Sequence, residues 1–202
     1  MSLPSFTFGR RNALAMKVSV HVHNDHLERI SKVRKPVLAV AELIWNGLDA
    51  DATEVRVDFE HNALGGLELI RVTDNGSGIP HPEAAAAFGN LGGSHKRGAL
   101  RSRSRKRLMH GKAGKGRFRA FFLGSSVEWA TAFRSNGSVS GFRIIGSRLD
   151  LGTFDIQDPK PAASQTGTEV EIRGIQKKRL SRCLRCDHEF QRNMTSLGRQ
   201  AQ

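Results

Sequence analysis

Residues 36–50 read PVLAVAELIWNGLDA. Over residues 37–48 only Glu42, Asn46 and Gly47 interrupt a run of apolar residues. The proline that precedes the run is well tolerated at the first position of a helix. A helix that is apolar almost all round belongs in a protein interior. The stretch therefore predicts a buried helix over residues 37–48.

The polar residues of this helix share one face. Glu42, Asn46 and Asp49 stand at i, i+4 and i+7, so at ~100° per residue they project within an arc of roughly 60°. A buried carboxylate is costly unless it has a partner, so this face is expected to meet a metal, water or a ligand. A basic residue from elsewhere in the fold is the alternative. An amide oxygen suits Mg²⁺, and a carboxylate one turn earlier can polarise a water near it.

The segment Asp-Asn-Gly-Ser-Gly at residues 74–78 follows a predicted strand over residues 67–72, which pairs through a turn with a strand over residues 55–59. Gly76 and Gly78 allow the backbone to pass close to a flat ligand where a Cβ would collide. Asp74 can accept a hydrogen bond from an exocyclic amine. The same residue types are the commonest in plain turns, so a turn without a ligand is the alternative.

A second glycine-rich segment, Gly-Lys-Ala-Gly-Lys-Gly at residues 111–116, precedes a predicted helix over residues 117–123. Free N–H groups before a helix N-terminus favour phosphate, and lysines add positive charge. The candidates for phosphate binding here are Lys112, Gly114, Lys115 and Gly116. The P-loop and dinucleotide-binding patterns both fail, the second because Arg119 stands where a glycine is required. A glycine-rich hinge is the alternative.

The remaining elements follow from alternation and turn residues. Strands are predicted over residues 17–23, 127–133, 139–145 and 169–173, and short helices over residues 26–33 and 80–88. The polar segment over residues 89–116 is too long for an ordinary connection and predicts a functional loop.

Length and composition indicate one globular domain with a tail. The chain has 202 residues, of which 38% are apolar and 25% are charged. No apolar run approaches the ~18 residues of a membrane span, and the first residues do not resemble a secretory signal. Two cysteines without an export signal favour a cytoplasmic location.

The positive charge is concentrated in one segment. The net charge is +13, and eleven lysines and arginines but no acidic residue lie from Lys96 to Arg119. Compensation of an anionic ligand explains this local excess. A basic arm between Arg101 and Arg107 that binds nucleic acid is the alternative.

Cys183, Cys186 and His188 raise the question of zinc near the C-terminus. A structural zinc site needs four ligands, and the chain has no further cysteine. His21, His23 and His26 could in principle contribute. The stub of a longer zinc module and ordinary thiols in a basic tail are the alternatives.

Residues 42–50, 74–78 and 111–116 are followed by Gly-Thr-Glu at residues 167–169. In this order and spacing, these four segments resemble the GHKL ATPases of the Bergerat-fold superfamily. The resemblance covers most of the chain, and the motif style is closest to the branch of the heat-shock chaperone, MutL and MORC. It implies an α+β fold, a two-layer α/β sandwich whose mixed, mainly antiparallel sheet carries helices on one face. It divides the chain into an ATP-binding domain over residues 1–175, with a lid at about 89–116, and a basic tail over residues 176–202.

The resemblance also implies roles for single residues. Glu42 matches the general base, Asn46 the Mg²⁺ ligand, and Asp74 the residue that binds the adenine amino group. Asp49 belongs to the same motif as Glu42, the segment 111–116 matches the phosphate lid, and Thr168 matches the threonine of the adenine and water network.

The activity implied by the resemblance is Mg²⁺-dependent ATP binding with slow hydrolysis, in which a lid controlled by nucleotide drives switching or homodimerisation. ATPases of this branch usually need a lysine from a following transducer domain. The chain ends before such a domain, so we expect this chain alone to be an incomplete ATPase that hydrolyses ATP inefficiently.

Overall fold

Eight strands form one sheet in the computed structural model, which describes residues 15–19, 36–89, 116–162 and 165–175. The strands are β1 Ala15–Ser19, β2 Val55–His61, β3 Leu67–Asp74, β4 Ser126–Ser135, β5 Ser138–Ser147, β6 Asp150–Gln157, β7 Lys160–Pro161 and β8 Gly167–Arg173. Their order is β1-β6-β5-β4-β8-β3-β2, with the short β7 paired to β5. Every pairing among these described strands is antiparallel.

Helices cover one face of this sheet. They are α1 Pro36–Asp49, α2 His81–Gly89 and α3 Gly116–Leu123. Helix α1 packs on α3 and on β2, β3 and β8, α3 packs on β4 and β8, and α2 packs on β6 and β1. This arrangement confirms the predicted two-layer α+β fold. None of the described helices is long and apolar enough to cross a membrane.

The core lies between the two layers and is rich in aromatic rings. Phe88 of α2 packs edge-on against Trp129 of β4 and Phe154 of β6, with ring centroids 5.1 Å apart in both pairs. Phe118 and Phe121 of α3 are fully buried against the same cluster. Edge-to-face rings at these separations stabilise the core beyond the area they bury.

The opposite face of the sheet is charged. Arg71 of β3 forms ion pairs with Glu60, Glu169 and Glu171, and two of its nitrogens hydrogen-bond to Glu171 Oε1 at 2.8 and 3.1 Å. Arg143 of β5 is paired with Glu128 of the neighbouring strand. Side chains of a strand alternate between the two faces of the sheet. These charged side chains therefore point away from the helices, and their apolar neighbours point toward them.

The sequence analysis missed β6 and β7. Leu151, Phe154 and Ile156 are buried, but the spacing of three between the first two breaks the alternation that identifies a strand. The cause is a register shift in the β5–β6 ladder between Gly146 and Ser147, which turns both side chains to the core. A bulge of this kind depends on pairing with a neighbour and leaves little local signal.

The other predicted elements overlap observed ones, except where they lie outside the described residues. The strand predicted over residues 17–23 overlaps β1, whereas the rest of it and the helix over residues 26–33 lie outside the described residues. So do residues 90–115, which contain most of the predicted lid, and the tail after residue 175.

The tight packing of α1 on the sheet generates a test at Gly47. A Cβ at this position would lie 2.9 Å from Asp74 Cβ and 3.1 Å from Val55 Cγ2. Glycine to alanine in an open helix stabilises by about 1 kcal/mol, but overpacking a core costs about 1–3 kcal/mol. We expect Gly47→Ala to lower Tm by roughly 2–6 °C in thermal unfolding.

The matched control is Gly152→Ala, because a Cβ there would meet only Asp150 Oδ1, at 3.3 Å. This substitution should leave Tm nearly unchanged. A Gly47→Ala variant as stable as the parent would show that the contact between α1 and β3 is looser than described.

Candidate functional site

The polar face of α1 lies where this helix meets α3. Glu42 and Asn46 are half-buried and Asp49 is 7% exposed. The carboxylate of Glu42 accepts a hydrogen bond from the guanidinium of Arg119 on α3. The sequence analysis gave a basic partner as the alternative for this face, and Arg119 is such a partner.

Asp74 ends strand β3 as a buried carboxylate. Its side chain accepts a hydrogen bond from the backbone N–H of Gly76 at 2.8 Å, and the backbone of Thr168 on β8 also bonds to it. Burial raises the pKa of the Asp74 carboxyl to about 6, although these two hydrogen bonds act in the opposite direction. The fold thus keeps an acceptor with a perturbed pKa at this strand end, a feature that is concentrated at functional sites.

Three glycines from different elements surround Asp74. A Cβ at Gly76 would lie 2.7 Å from the Ala50 carbonyl oxygen and 3.0 Å from Asp74 Oδ1. A Cβ at Gly167 would lie 2.2 Å from the Asp74 carbonyl oxygen, and Gly47 approaches the same residue from α1. Close internal packing therefore requires glycine at these positions, independently of any ligand.

Gly78 also has an internal role. Its φ is +70°, and a Cβ there would lie 2.0 Å from the Ala132 carbonyl oxygen on β4. The segment 74–78 therefore packs closely on the sheet and differs from an ordinary exposed turn.

Hydrogen bonds also tie the segment 74–78 to the connection between α1 and β2. The side-chain oxygen of Asn75 accepts from the backbone N–H groups of Thr53 at 2.8 Å and Glu54 at 3.0 Å. The backbone N–H of Ser77 donates to the Ala50 carbonyl at 2.8 Å. The end of α1 and this segment consequently form one structural unit.

Thr131 on β4 is a site residue that the sequence analysis missed. Its fully buried hydroxyl accepts from the backbone N–H of Ile79 at 2.9 Å and donates to the Gly167 carbonyl at 3.2 Å. It also lies 3.2 Å from the hydroxyl of Thr168, its cross-strand neighbour. A threonine in a strand is unremarkable in sequence, and the one available signal was its position in a buried, otherwise apolar run.

The structure brings several of the predicted site residues together. Gly47 carries α1 against Asp74, and Thr168 lies opposite Asp74 in the β3–β8 ladder. Gly116 is the first residue of α3. Lys112, Gly114 and Lys115 lie outside the described residues, as do Cys183, Cys186 and His188.

A family comparison agrees with this fold. Residues 34–193 match the family described as Histidine kinase-, DNA gyrase B-, and HSP90-like ATPase. The match covers far more than half of the chain, and it includes α1, the segment 74–78, α3 and β8. The chain belongs to this ATPase family, which confirms the resemblance to the GHKL ATPases.

Within the family the chain is similar to DNA mismatch repair proteins named MutL. It is 33% identical to MutL of Anaeromyxobacter sp. (strain K) over 151 residues, which are 71% of this chain and 21% of the relative. It is 32% identical to MutL of Brucella abortus (strain S19) over 145 residues, 71% of this chain and 20% of the relative. A 56-residue stretch is 54% identical to MutL of Mesorhizobium japonicum, covering 28% of this chain and 8% of that protein. The chain spans about a fifth or less of the length of these relatives.

The raised pKa of Asp74 predicts a pH dependence of stability. The folded state favours the protonated carboxyl, so its contribution to stability is complete below about pH 4 and is lost as the pH rises through about 6. Asp74→Asn removes this titration. We therefore expect the Tm of the variant, relative to the parent without nucleotide, to increase by roughly 3–6 °C between pH 5 and pH 7.

Asp58→Asn is the control, because Asp58 lies on the charged face of the sheet and pairs with Arg56. Its Tm difference from the parent should be similar at both pH values. A constant difference for Asp74→Asn would contradict the raised pKa.

Proposed function

We propose that this chain binds ATP with Mg²⁺ between the polar face of α1, the segment 74–78 and the start of α3. The observation that carries the proposal is the buried Asp74 carboxylate, held by backbone N–H groups beside α1. An ionised carboxylate can accept about four hydrogen bonds, so capacity remains for the exocyclic amine of adenine. Membership of the ATPase family supports the same choice of ligand.

The residues present fit Mg²⁺ carried by a nucleotide better than a cage formed by the protein. No group of three or more His, Cys, Asp and Glu suited to a metal is found within the described ranges. Mg²⁺ commonly keeps several waters and takes one or two protein ligands together with phosphates. Asn46 would supply an amide oxygen, and the ion would neutralise charge on the phosphates.

Glu42 is the proposed general base. It would accept a proton from water while the water oxygen forms a bond to the γ-phosphorus of ATP. The bond from that phosphorus to the β–γ bridging oxygen breaks, which gives ADP and inorganic phosphate. Asp49 and Thr168 would complete the polar surroundings of the nucleotide.

The proposed lid over residues 89–116 would contact the phosphates through Lys112, Gly114, Lys115 and Gly116. The positive charge of this segment compensates a ligand that carries about three to four negative charges when water is excluded. Lid closure on ATP would then drive a conformational switch or the association of two copies of the chain. The domain assignment over residues 1–175 and the basic tail over residues 176–202 form part of this proposal.

Asp74→Asn tests the adenine contact. The amide presents a donor beside the exocyclic amine, so affinity should fall by at least about tenfold when a buried polar pair is broken. The measurement is calorimetric titration with a non-hydrolysable ATP analogue and Mg²⁺. Asp58→Asn, on the charged face, should bind like the parent, and an unchanged Kd in Asp74→Asn would show that the adenine pocket lies elsewhere.

Glu42→Gln and Asn46→Ala test two different roles on α1. Removal of a general base costs typically about 10²- to 10⁴-fold in rate, so Glu42→Gln should lose turnover and keep its ATP affinity. Asn46→Ala should weaken Mg²⁺-ATP binding itself. Single-turnover hydrolysis with excess enzyme gives the rate, and calorimetry gives the affinity.

Glu68→Gln is a control on an exposed position of β3 and should match the parent in both measurements. A Glu42→Gln variant that hydrolyses ATP as fast as an active parent would refute the role of the base.

Nucleic-acid binding through the basic segment between Arg101 and Arg107 is a second candidate function. The cluster of positive charge supports it, as does the name of the MutL relatives, DNA mismatch repair protein. Asp74→Asn separates the two functions, because it should weaken nucleotide binding at least about tenfold and leave the salt-sensitive DNA binding intact. Binding to duplex DNA at several salt concentrations is the measurement.

A further inference from the structure

We propose that Arg119 is a positioning residue for Glu42, an inference that rests on the proposed role of Glu42 as the general base. Arg119 lies on α3 and donates a hydrogen bond to Oε1 of Glu42 on α1. No other partner of the Glu42 side chain is found in the described part of the chain. The contact would hold the carboxylate by one oxygen and leave the other to accept a proton from water.

The packing of the two helices determines where this guanidinium lies. Phe118 and Ala120, the neighbours of Arg119 in the chain, are fully buried, and so is Phe121 one residue further on. Helix α3 also packs directly against α1. The backbone of Arg119 is therefore anchored on both sides, and its side chain connects two helices that pack against each other.

The pair is shielded from water more than an ordinary surface ion pair. The side chains of Arg119 and Glu42 are 33% and 28% exposed. Fully exposed pairs contribute little because solvent screens them and both side chains lose entropy. A partly buried pair on two packed helices loses less entropy on ordering and holds a more constant geometry, which is the property that positions a reacting group.

The chemistry of arginine suits this task. Its guanidinium is charged and planar, so it orients the carboxylate and restricts its rotation through a charge-assisted hydrogen bond. Lysine retains the charge but not the planar geometry. Substitution by lysine should therefore restore part of the effect, whereas an uncharged side chain should restore little.

Two other roles of Arg119 predict different kinetics. If Arg119 inhibits the enzyme by occupying Glu42, its removal should accelerate hydrolysis. If it binds the phosphates directly, its removal should weaken ATP binding. A positioning role predicts a loss of rate at constant affinity. This loss of rate should occur only when Glu42 is present.

The experiment measures single-turnover hydrolysis at saturating enzyme and the Kd of a non-hydrolysable ATP analogue. The variants are Arg119→Ala, Arg119→Lys, Glu42→Gln and the double variant Arg119→Ala/Glu42→Gln, with Arg134→Ala at an exposed position of β4 as the control. Arg119→Gln replaces the alanine variant if thermal unfolding shows that the latter does not fold. The Glu42→Gln reactions are followed for hours with excess enzyme.

We expect Arg119→Ala to lower the rate constant about 10- to 100-fold, the loss typical of a residue that orients another, with Kd changed less than about twofold. Arg119→Lys should recover part of the rate, and Arg119→Ala should cause no further loss in the Glu42→Gln background. Arg134→Ala should match the parent.

Four results would overturn the inference: a faster Arg119→Ala variant, a loss below about threefold, a weakened Kd at an unchanged rate constant, or an equal loss with and without Glu42. A parent that binds ATP but does not hydrolyse it would overturn the roles of Arg119 and Glu42 while leaving ATP binding intact. A parent that does not bind ATP would refute the proposed function itself.

Discussion

Helix α1 approaches the end of strand β3 very closely, and this approach shapes the surroundings of Asp74. Gly47 lies against Asp74 here, and a side chain as small as a methyl group would already be too close to the Asp74 Cβ. Gly76 and Gly167 make equally close contacts with the same residue from two other directions. Three backbones can converge on Asp74, at its side chain and its carbonyl group, only because these three residues carry no Cβ. The consequence is a buried charge whose desolvation is only partly offset by backbone hydrogen bonds.

The two faces of the sheet explain why this convergence occurs at the edge of the helical layer. On the charged face, Arg71 and its glutamates satisfy one another within the sheet, so no helix is needed to cover them. On the other face, apolar residues such as Ile70 and Val72 require cover, and α1 supplies it. The polar side of α1 then faces α3, and the C-terminal end of the helix is tied to the segment 74–78. The same separation of charged and apolar residues thus determines where the core forms and where the candidate site lies.

Much of the fold could be predicted from the sequence because its main elements have strong local patterns. The apolar run of α1 and the alternation in β3 to β5 and β8 are visible without any partner, whereas β6 depends on a register shift and was missed. The residues of the candidate site likewise fall into those that a local pattern reveals and those that it does not. Asp74, Gly76 and Gly78 stand in one short motif, but Thr131 and Arg119 acquire their contacts from strands and helices distant in the chain. Residues whose contacts form only when distant strands and helices come together cannot be identified from the spacing of residue types in the sequence.

The energetic state of Asp74 connects this geometry to the proposed function. At neutral pH its ionised form opposes folding, because burial has moved its pKa to about 6. A ligand that donates a hydrogen bond to the ionised form would relieve part of this cost, and a hydrocarbon ligand of the same shape would not. The pair formed by Glu42 and Arg119 differs, since its charge is already balanced within the protein. The site therefore combines a buried carboxylate that a ligand could stabilise with one that already has a partner, which is consistent with the different tasks proposed for them, binding adenine and activating water.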